Sequence, residues 1–463
     1  MEKVKVRIAP SPTGYLHIGT ARTALFNWLF AERYKKLGYD SKLILRIEDT
    51  DLERSDKKYE EDIIKGLEWL GLKWDGEIFY QSKRLDIYKK YLKKLLESED
   101  KKAFWCYHTK EELEAEQKEQ MAKHEAPRHI CDHKDKQIKG RGGVIRLNVG
   151  LITHTLGDKI DFYDLVRNTI SWDGVEGIFG DFVIAKNENS PLYNFAAVVD
   201  DIEMKITHVI RGEDHISNTP KQILIYEALG KEPPKFAHLP LILAPDRSKL
   251  SKRHGATSVT DFKKDYLPEA LVNFIGFLGY TYGKDIISKE EMAEEFELEK
   301  VHKSGAIFDT KKLNWINSQY IKNLSSDEFK KISGLTSVPD AAIPLIIDRL
   351  EKLSDIAQFE YLWEGPEYDK ELLKWKKFSL EDSKKSLEKV KDIIASYDFK
   401  DKNKLRKSLD ELALEVGDRG LVYWPLRVAL TGKEKSPDPV DIAFILDKKE
   451  VLGRLDEAKK KLE

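Results

Sequence analysis

Val4, Val6 and Ile8 alternate with Lys5 and Arg7 at the head of the chain. That period of two predicts a strand, and Ala9-Pro10-Ser11-Pro12-Thr13-Gly14 ends it with turn chemistry. From Leu16, the apolar residues Ala21, Ala24, Leu25, Trp28 and Leu29 recur at three- and four-residue steps until Gly38, the pattern of an amphipathic helix. Leu43-Ile44-Leu45-Arg46-Ile47 reads as a buried strand, and Ile63, Ile64, Leu67 and Leu70 mark a second helix. The order strand, helix, strand, helix implies a parallel, doubly wound sheet of Rossmann-like type.

After His108 the pattern loosens. A highly charged helix and a histidine-containing loop are expected over Thr109 to Lys139, before the strand-like Val144-Ile145-Arg146-Leu147, and this stretch reads as an α+β insertion. Strand patterns resume at Asp181-Phe182-Val183-Ile184 and Ile206-Thr207-His208-Val209-Ile210. A helix through Lys221 to Leu229 follows, and the nucleotide fold is expected to close there. Beyond about residue 320 the chain is lysine-rich amphipathic helix punctuated by Pro366, Pro437 and Pro439, so the C-terminal third is expected to be all-helical. The expected segments are 1–105 and 181–245 for the two halves of the parallel-sheet domain and 106–180 for the insertion. A further domain is expected over 246–322, and the helical domain over 323–463.

Composition narrows the class. A chain of 463 residues exceeds one ordinary core, and 41% hydrophobic with 10% aromatic residues gives enough apolar surface to fold. Its 79 basic and 81 acidic residues nearly cancel, so bulk charge says nothing about nucleic acid. Two cysteines argue against a disulfide scaffold, the N-terminus runs into a strand instead of a signal peptide, and no apolar run approaches the ~18 residues of a membrane span. The expectation is a cytoplasmic protein without membrane contact.

Two short strings carry candidate chemistry. His17-Ile18-Gly19-Thr20 stands where a loop enters a helix, a position whose free N–H groups and dipole attract phosphate. Lys249-Leu250-Ser251-Lys252-Arg253 places two lysines around a serine, cations suited to a departing pyrophosphate. Alone, the first string reads as a helix-start histidine and the second as a solvated basic loop; the pair is far more specific. Cys106, His108, Cys131 and His133 form two Cys-x-His pairs, a donor set suited to tetrahedral zinc.

The two strings resemble the HIGH and KMSKS signatures of class I aminoacyl-tRNA synthetases, with Thr20, Leu250 and Arg253 as departures that glutamyl enzymes commonly share. The glutamyl branch is further resembled at Arg7 to Gly14, at Arg46-Ile47-Glu48-Asp49-Thr50-Asp51, at Tyr193 to Asp201 and at His208 to His215, so that the likeness spans essentially the whole chain. It implies ATP and Mg²⁺ as reaction components, with His17, Lys249 and Lys252 catalytic and Gly19, Thr20 and Ser251 joining them around ATP. A glutamate substrate brings two carboxylates and an ammonium. Arg7 and Arg211 can take carboxylates in fork geometry, Glu48 the ammonium, and Ser11 and Tyr193 further hydrogen bonds, at positions matching the family's amino-acid pocket.

The cysteine-histidine cluster resembles a zinc-bearing, acceptor-stem-binding insertion of some bacterial members, implying one structural Zn²⁺. Trp424 to Gly432 resembles the anticodon-domain signature, in which Arg427 can meet an unpaired base of the tRNA. The implied partners are L-glutamate and tRNA for glutamate, with tRNA for glutamine left open, and the implied state is a monomer. The rivals are a glutaminyl enzyme, whose family's C-terminus is β-barrel, a shortened paralogue that glutamylates a modified tRNA base, a simpler nucleotidyltransferase, and a non-catalytic tRNA-binding regulator. The helical C-terminal third and the presence of His17 and Lys252 weigh against them.

Overall fold

The computed structural model describes every residue except Met1, Leu52, 135–141, Lys252, His254, Ala256 and Ser337. The chain divides into two compact units, one of Met1–Lys263 with Pro268–Ile316, the other of Lys264–Leu267 with Asn317–Glu463.

The first unit opens with β1 (Lys3–Ile8), α1 (Ile18–Lys36), β2 (Asp40–Ile47), α2 (Lys57–Trp69) and β3 (Phe79–Tyr80). The predicted alternation and helical periodicity both hold here. β1 pairs parallel with β2, Arg7 facing Ile44, and β2 pairs parallel with β3. Then come α3 (Leu85–Leu96), β4 (Ala103–Cys106), α4 (Lys110–Ala122), β5 (Val144–Leu147), α5 (Val149–Leu156), β6 (Lys159–Asp164), β7 (Asn168–Asp173) and α6 (Val175–Phe179). They are followed by β8 (Val183–Asn187), β9 (Ser190–Pro191), α7 (Tyr193–Glu203), β10 (His208–Gly212), α8 (Thr219–Ala228), β11 (Lys235–Leu239), β12 (Ile242–Leu243) and β13 (Ala306–Ile307).

β10 and β11 pair parallel and carry the ladder on to β6, giving the order β10, β11, β6, β7. β10 is tied to β1 by Thr207, whose N–H donates to the Lys5 carbonyl at 2.9 Å while its hydroxyl accepts from the Lys5 N–H at 2.9 Å. The parallel, helix-connected sheet expected from the sequence is therefore present. Two placements differ from the sequence reading. β8 joins the antiparallel sheet β4, β5, β8, β9 and not the parallel one, and β6, within the stretch read as insertion, lies parallel beside β11. A short apolar run fixes that a strand is buried, not which neighbour it pairs with.

The second unit is helical among its described residues, with long helices over Leu380–Ser396, Lys402–Val416, Arg419–Thr431 and Pro439–Lys461. Asp and Ser caps start them: Ser379 takes the N–H of Asp382, Asp401 those of Asn403 and Lys404, and Asp418 that of Leu421. Pro439 opens the last helix at its first position, where a missing N–H costs nothing.

His208 is buried against Phe30, with ring centroids 4.9 Å apart, and faces Lys235 across the ladder. Burial, and secondarily Lys235, depresses its pKa from 6.5 to about 4. A histidine that refuses a proton when folded but accepts one when unfolded gives stability that is complete above pH 6.5 and is lost as pH falls toward 4. His208→Gln is expected to remove this term. Urea denaturation at pH 7 and pH 4.5 should show the variant losing about 2–3 kcal/mol less than the parent over that interval.

Candidate functional site

His17 caps α1: its Nδ1 accepts the Gly19 N–H at 3.1 Å, so a neutral ring carries its proton on Nε2. No acidic side chain sits in the first turn of this 19-residue helix, which leaves its positive N-terminal end uncompensated. The second motif reaches it through backbone pairing. Ile18 N–H donates to the Thr257 carbonyl and Val259 N–H to that of Leu16, each at 2.8 Å, and His17 bridges Ser258. On the other side of the motif, Ala244 and Leu250 N–H groups bond Ser248 and Ile242 carbonyls, so a tight hairpin presents Lys249.

These elements surround a cavity of about 490 Å³. Of the residues singled out from the sequence, Arg7, Ser11, His17, Gly19, Thr20, Glu48, Tyr193, Arg211 and Lys249 all line it. Ser251 does not, and Lys252 lies outside the described residues. Lys249 rests 3.6 Å from Asp214, both groups well exposed.

The floor is an ion network that the sequence reading left unassigned. Arg46 has no solvent exposure and sets one guanidinium among three carboxylates: Asp201 at 2.7 Å, Glu48 at 3.0 Å and Asp200 at 3.7 Å. Asp201 also takes Arg7 Nε at 3.2 Å, and Asp200 is held by Arg84, Gln81 and the Tyr88 hydroxyl. Burial pushes the Glu48 carboxyl up, and Arg46, whose charge is divided among three anions, only partly opposes it. Asp201, clasped by two arginines, stays below its ordinary range despite burial.

A buried carboxylate short of positive charge is an apt receptor for an ammonium, and paired guanidiniums are apt for carboxylates. The Tyr193 hydroxyl lies 3.1 Å from His215 Nδ1. His215, a lining residue missed from the sequence, is pushed down to about 4 by burial and by Arg211, and is therefore neutral near pH 7.

A second cluster lies where β4 ends. Cys106, His108, His129 and Cys131 bring one ligand atom each within 4.8 Å of one another, and His108, Cys131, Asp132 and His133 form an overlapping set. The four residues expected from spacing are thus not gathered into one set. His129 stands with both cysteines, while His133 stacks on His108 at 4.0 Å and its Nδ1 faces the Tyr107 N–H at 3.4 Å.

The sulfur-to-nitrogen separations are 3.5 Å for Cys106 to His108, 3.6 Å for Cys106 to His129 and 3.6 Å for Cys131 to His108. Tetrahedral zinc, with Zn–S near 2.3 Å and Zn–N near 2.0–2.1 Å, requires about 3.6 Å. The free nitrogens of the two imidazoles each face a carboxylate, His129 Nδ1 to Glu116 at 2.6 Å and His108 Nε2 to Asp132 at 3.2 Å, the arrangement that orients metal-bound histidines. The site fits the ion.

In the helical unit, Arg349, Phe359, Tyr361, Lys433, Lys435 and Ser436 are among the residues around a second cavity of about 480 Å³. Arg427 is not on its lining. Its Nη1 donates to the Ser436 carbonyl at 2.6 Å, so it braces the wall.

A family model described as "tRNA synthetases class I (E and Q), catalytic domain" matches residues 3–315. The chain belongs to that family. A second model, "Anticodon binding domain", matches residues 294–459 of this synthetase. It is 42% identical to a glutamate–tRNA ligase of Carboxydothermus hydrogenoformans, covering 98% of this chain and 99% of the relative. With that of Thermodesulfovibrio yellowstonii it shares 41% identity over 98% of each. A crystal structure of a glutamate tRNA ligase from Elizabethkingia meningosepticum, in complex with its amino acid, superposes with TM-score 0.85 at 32% identity over the whole of both chains. A glutamate–tRNA synthetase structure from Elizabethkingia anophelis gives 0.82 at 33% identity, over 99% and 100% of the two chains.

Removing Arg46 from the synthetase leaves Glu48 without an ion-pair partner among the described residues, in a buried environment, and leaves Asp200 and Asp201 to Arg84 and Arg7 alone. Arg46→Met is expected to lower the unfolding free energy by about 3–5 kcal/mol, measured by urea denaturation at pH 7.

Proposed function

We propose that this chain joins L-glutamate to the 3′ end of its tRNA in two steps. The observation that carries the reading is the convergence, in one cavity, of a phosphate-directed helix start and motif lysine with a pocket of two arginines and an ammonium-seeking carboxylate. In the first step the α-carboxylate of glutamate attacks the α-phosphorus of ATP. The α1 N-terminus and His17 stabilise charge on that phosphate, and Lys249 with Lys252 follows the departing pyrophosphate. Mg²⁺ supplies further charge neutralisation on the phosphates.

Glutamate is held by Arg7 and Arg211 at its carboxylates, by Glu48 at its ammonium, and by Ser11 and Tyr193. Gly19 and Thr20 complete the ATP site on the cavity wall, and Ser251, off that wall, joins it through the loop that carries Lys249. In the second step the 2′-hydroxyl of the terminal adenosine attacks the mixed anhydride and AMP leaves. No covalent enzyme intermediate is needed, and catalysis rests on positioning and electrostatics. The glutamate–tRNA ligase names of the full-length relatives support this reading over its rivals.

Within the same proposal, the second cavity receives anticodon bases. Arg349, Lys433 and Lys435 supply the cations, and Arg427 fixes Ser436. The cognate is tRNA for glutamate, with charging of tRNA for glutamine the open alternative. The enzyme works in the cytoplasm as a monomer; neither cysteine is in a disulfide, which suits a reducing compartment, and no described helix is long and apolar enough to cross a membrane. Cys106, His108, His129 and Cys131 would hold a structural zinc. With donors on either side of α4, which buries none of its side chains, these residues would fasten both ends of that helical segment to the end of β4.

Radiolabelled glutamate should be transferred to tRNA for glutamate, and Lys249→Ala should lower kcat by about 10²–10³. A folded parent protein that charges neither tRNA for glutamate nor tRNA for glutamine with glutamate would refute the reading. For the metal, protein purified from zinc-supplemented cultures is expected to carry one zinc per chain. His129→Ala should lose it and His133→Ala retain it in elemental analysis. The reverse pattern restores His133 as the ligand.

A further inference from the structure

Arg211 differs from Arg7 and Arg46, the two arginines of the ion network. Arg7 and Arg46 are paired with carboxylates, whereas among the described residues no carboxylate lies within ion-pair distance of Arg211. It is buried and held by two neutral acceptors. Its Nε donates to His238 Nε2 at 3.1 Å, and its Nη2 to the Thr219 hydroxyl at 2.7 Å. Nη1 is the remaining nitrogen of the fork.

Behind it stands a row of side chains on three adjacent strands. Arg211 on β10 is the register partner of His238 on β11, and Asp164 ends β6 beside Phe236. Asp164 Oδ2 meets His238 Nδ1 at 2.6 Å, and neither residue has any solvent exposure. Asp164 is itself fixed by the backbone N–H groups of Val166 at 2.9 Å, Arg167 at 2.8 Å and His238 at 3.0 Å.

Only one protonation pattern satisfies this row. An ionised carboxylate can only accept, so His238 must donate from Nδ1; an arginine can only donate, so His238 Nε2 must be bare. The ring is thus neutral, and its tautomer is dictated from both sides. Burial pulls the His238 pKa down against the pull of Asp164, in the direction the row requires. Two of Arg211's three nitrogens are thereby committed to the protein without neutralising its charge. An arginine paired directly with Asp164 would have its charge cancelled. One reached through a neutral imidazole keeps it for the ligand.

We propose that Asp164 and His238 are positioning residues for glutamate: Asp164 fixes the His238 tautomer, and His238 aims Arg211 at the substrate carboxylate while leaving its charge unspent. This rests on the reading of the cavity as a glutamate site. Neither residue is on the cavity lining, and both act through Arg211, so the effect falls on amino-acid binding and not on ATP.

The test uses the full-length chain, with steady-state charging of tRNA for glutamate measured at varied glutamate and at varied ATP. His238→Ala and Asp164→Asn are each expected to raise KM for glutamate ~10- to 100-fold while KM for ATP stays within about threefold. His238→Gln, whose side-chain oxygen can accept from Arg211 Nε, should recover most of the loss relative to His238→Ala. Variants with native circular dichroism and an unchanged glutamate KM overturn the proposal. So do variants in which both KM values rise together and His238→Gln is no better than His238→Ala, the signature of a merely structural role. A parent protein that charges no tRNA with glutamate overturns the glutamate reading and this proposal together. A parent that charges normally beside indifferent variants overturns the proposal alone.

Discussion

Everything at the cavity floor depends on satisfying Arg46, a guanidinium sealed from water. Desolvating a cation of this size is compensated only by close anions with good geometry, and three carboxylates from two distant parts of the chain are brought to it. Glu48 comes from the end of β2, and Asp200 and Asp201 come from α7. Because Asp201 also grips Arg7 on β1, the demand of one buried charge sets the spacing between β1, β2 and α7. The residues that face the ligand inherit their positions from residues that do not.

A second constraint is backbone pairing. The two phosphate-directed motifs are more than two hundred residues apart, yet Leu16 and Ile18 pair with Val259 and Thr257 as neighbouring strands would. Main-chain hydrogen bonds are indifferent to side-chain identity, so this junction tolerates sequence change on either side while holding His17 against the segment that carries the lysines.

What the sequence made legible follows from what periodicity can encode. β1, α1, β2 and α2 stand where alternation and three-to-four spacing put them, and the charge and turn pattern of the C-terminal third does give helices. The partner of β8 was not legible, because an apolar run specifies burial without specifying a neighbour. The ligand-facing residues were found through motif resemblance, but Asp201, Asp164, His215 and His238 were given no role.

A signal for some of them was present. Arg46 inside Leu43-Ile44-Leu45-Arg46-Ile47 and His238 inside Phe236-Ala237-His238-Leu239 are polar residues in strands that otherwise read as buried, and such residues need partners. The choice between His129 and His133 was out of reach of spacing. Both lie two residues from Cys131, and only the fold decides which ring turns toward the sulfurs.

The place of β6 in the parallel ladder bears on modularity. The stretch between β4 and β8 looks in the sequence like a cassette that could be lengthened, exchanged or cut out without disturbing its host. Its β6 is instead hydrogen-bonded into the same sheet as β11, and Asp164 at the end of β6 contacts a core histidine of the host. A chimera that swaps this cassette for a foreign one would carry across its outer surface and also part of the inner wall. The seam for such an exchange must therefore fall outside β6 and β7, leaving that hairpin with the recipient.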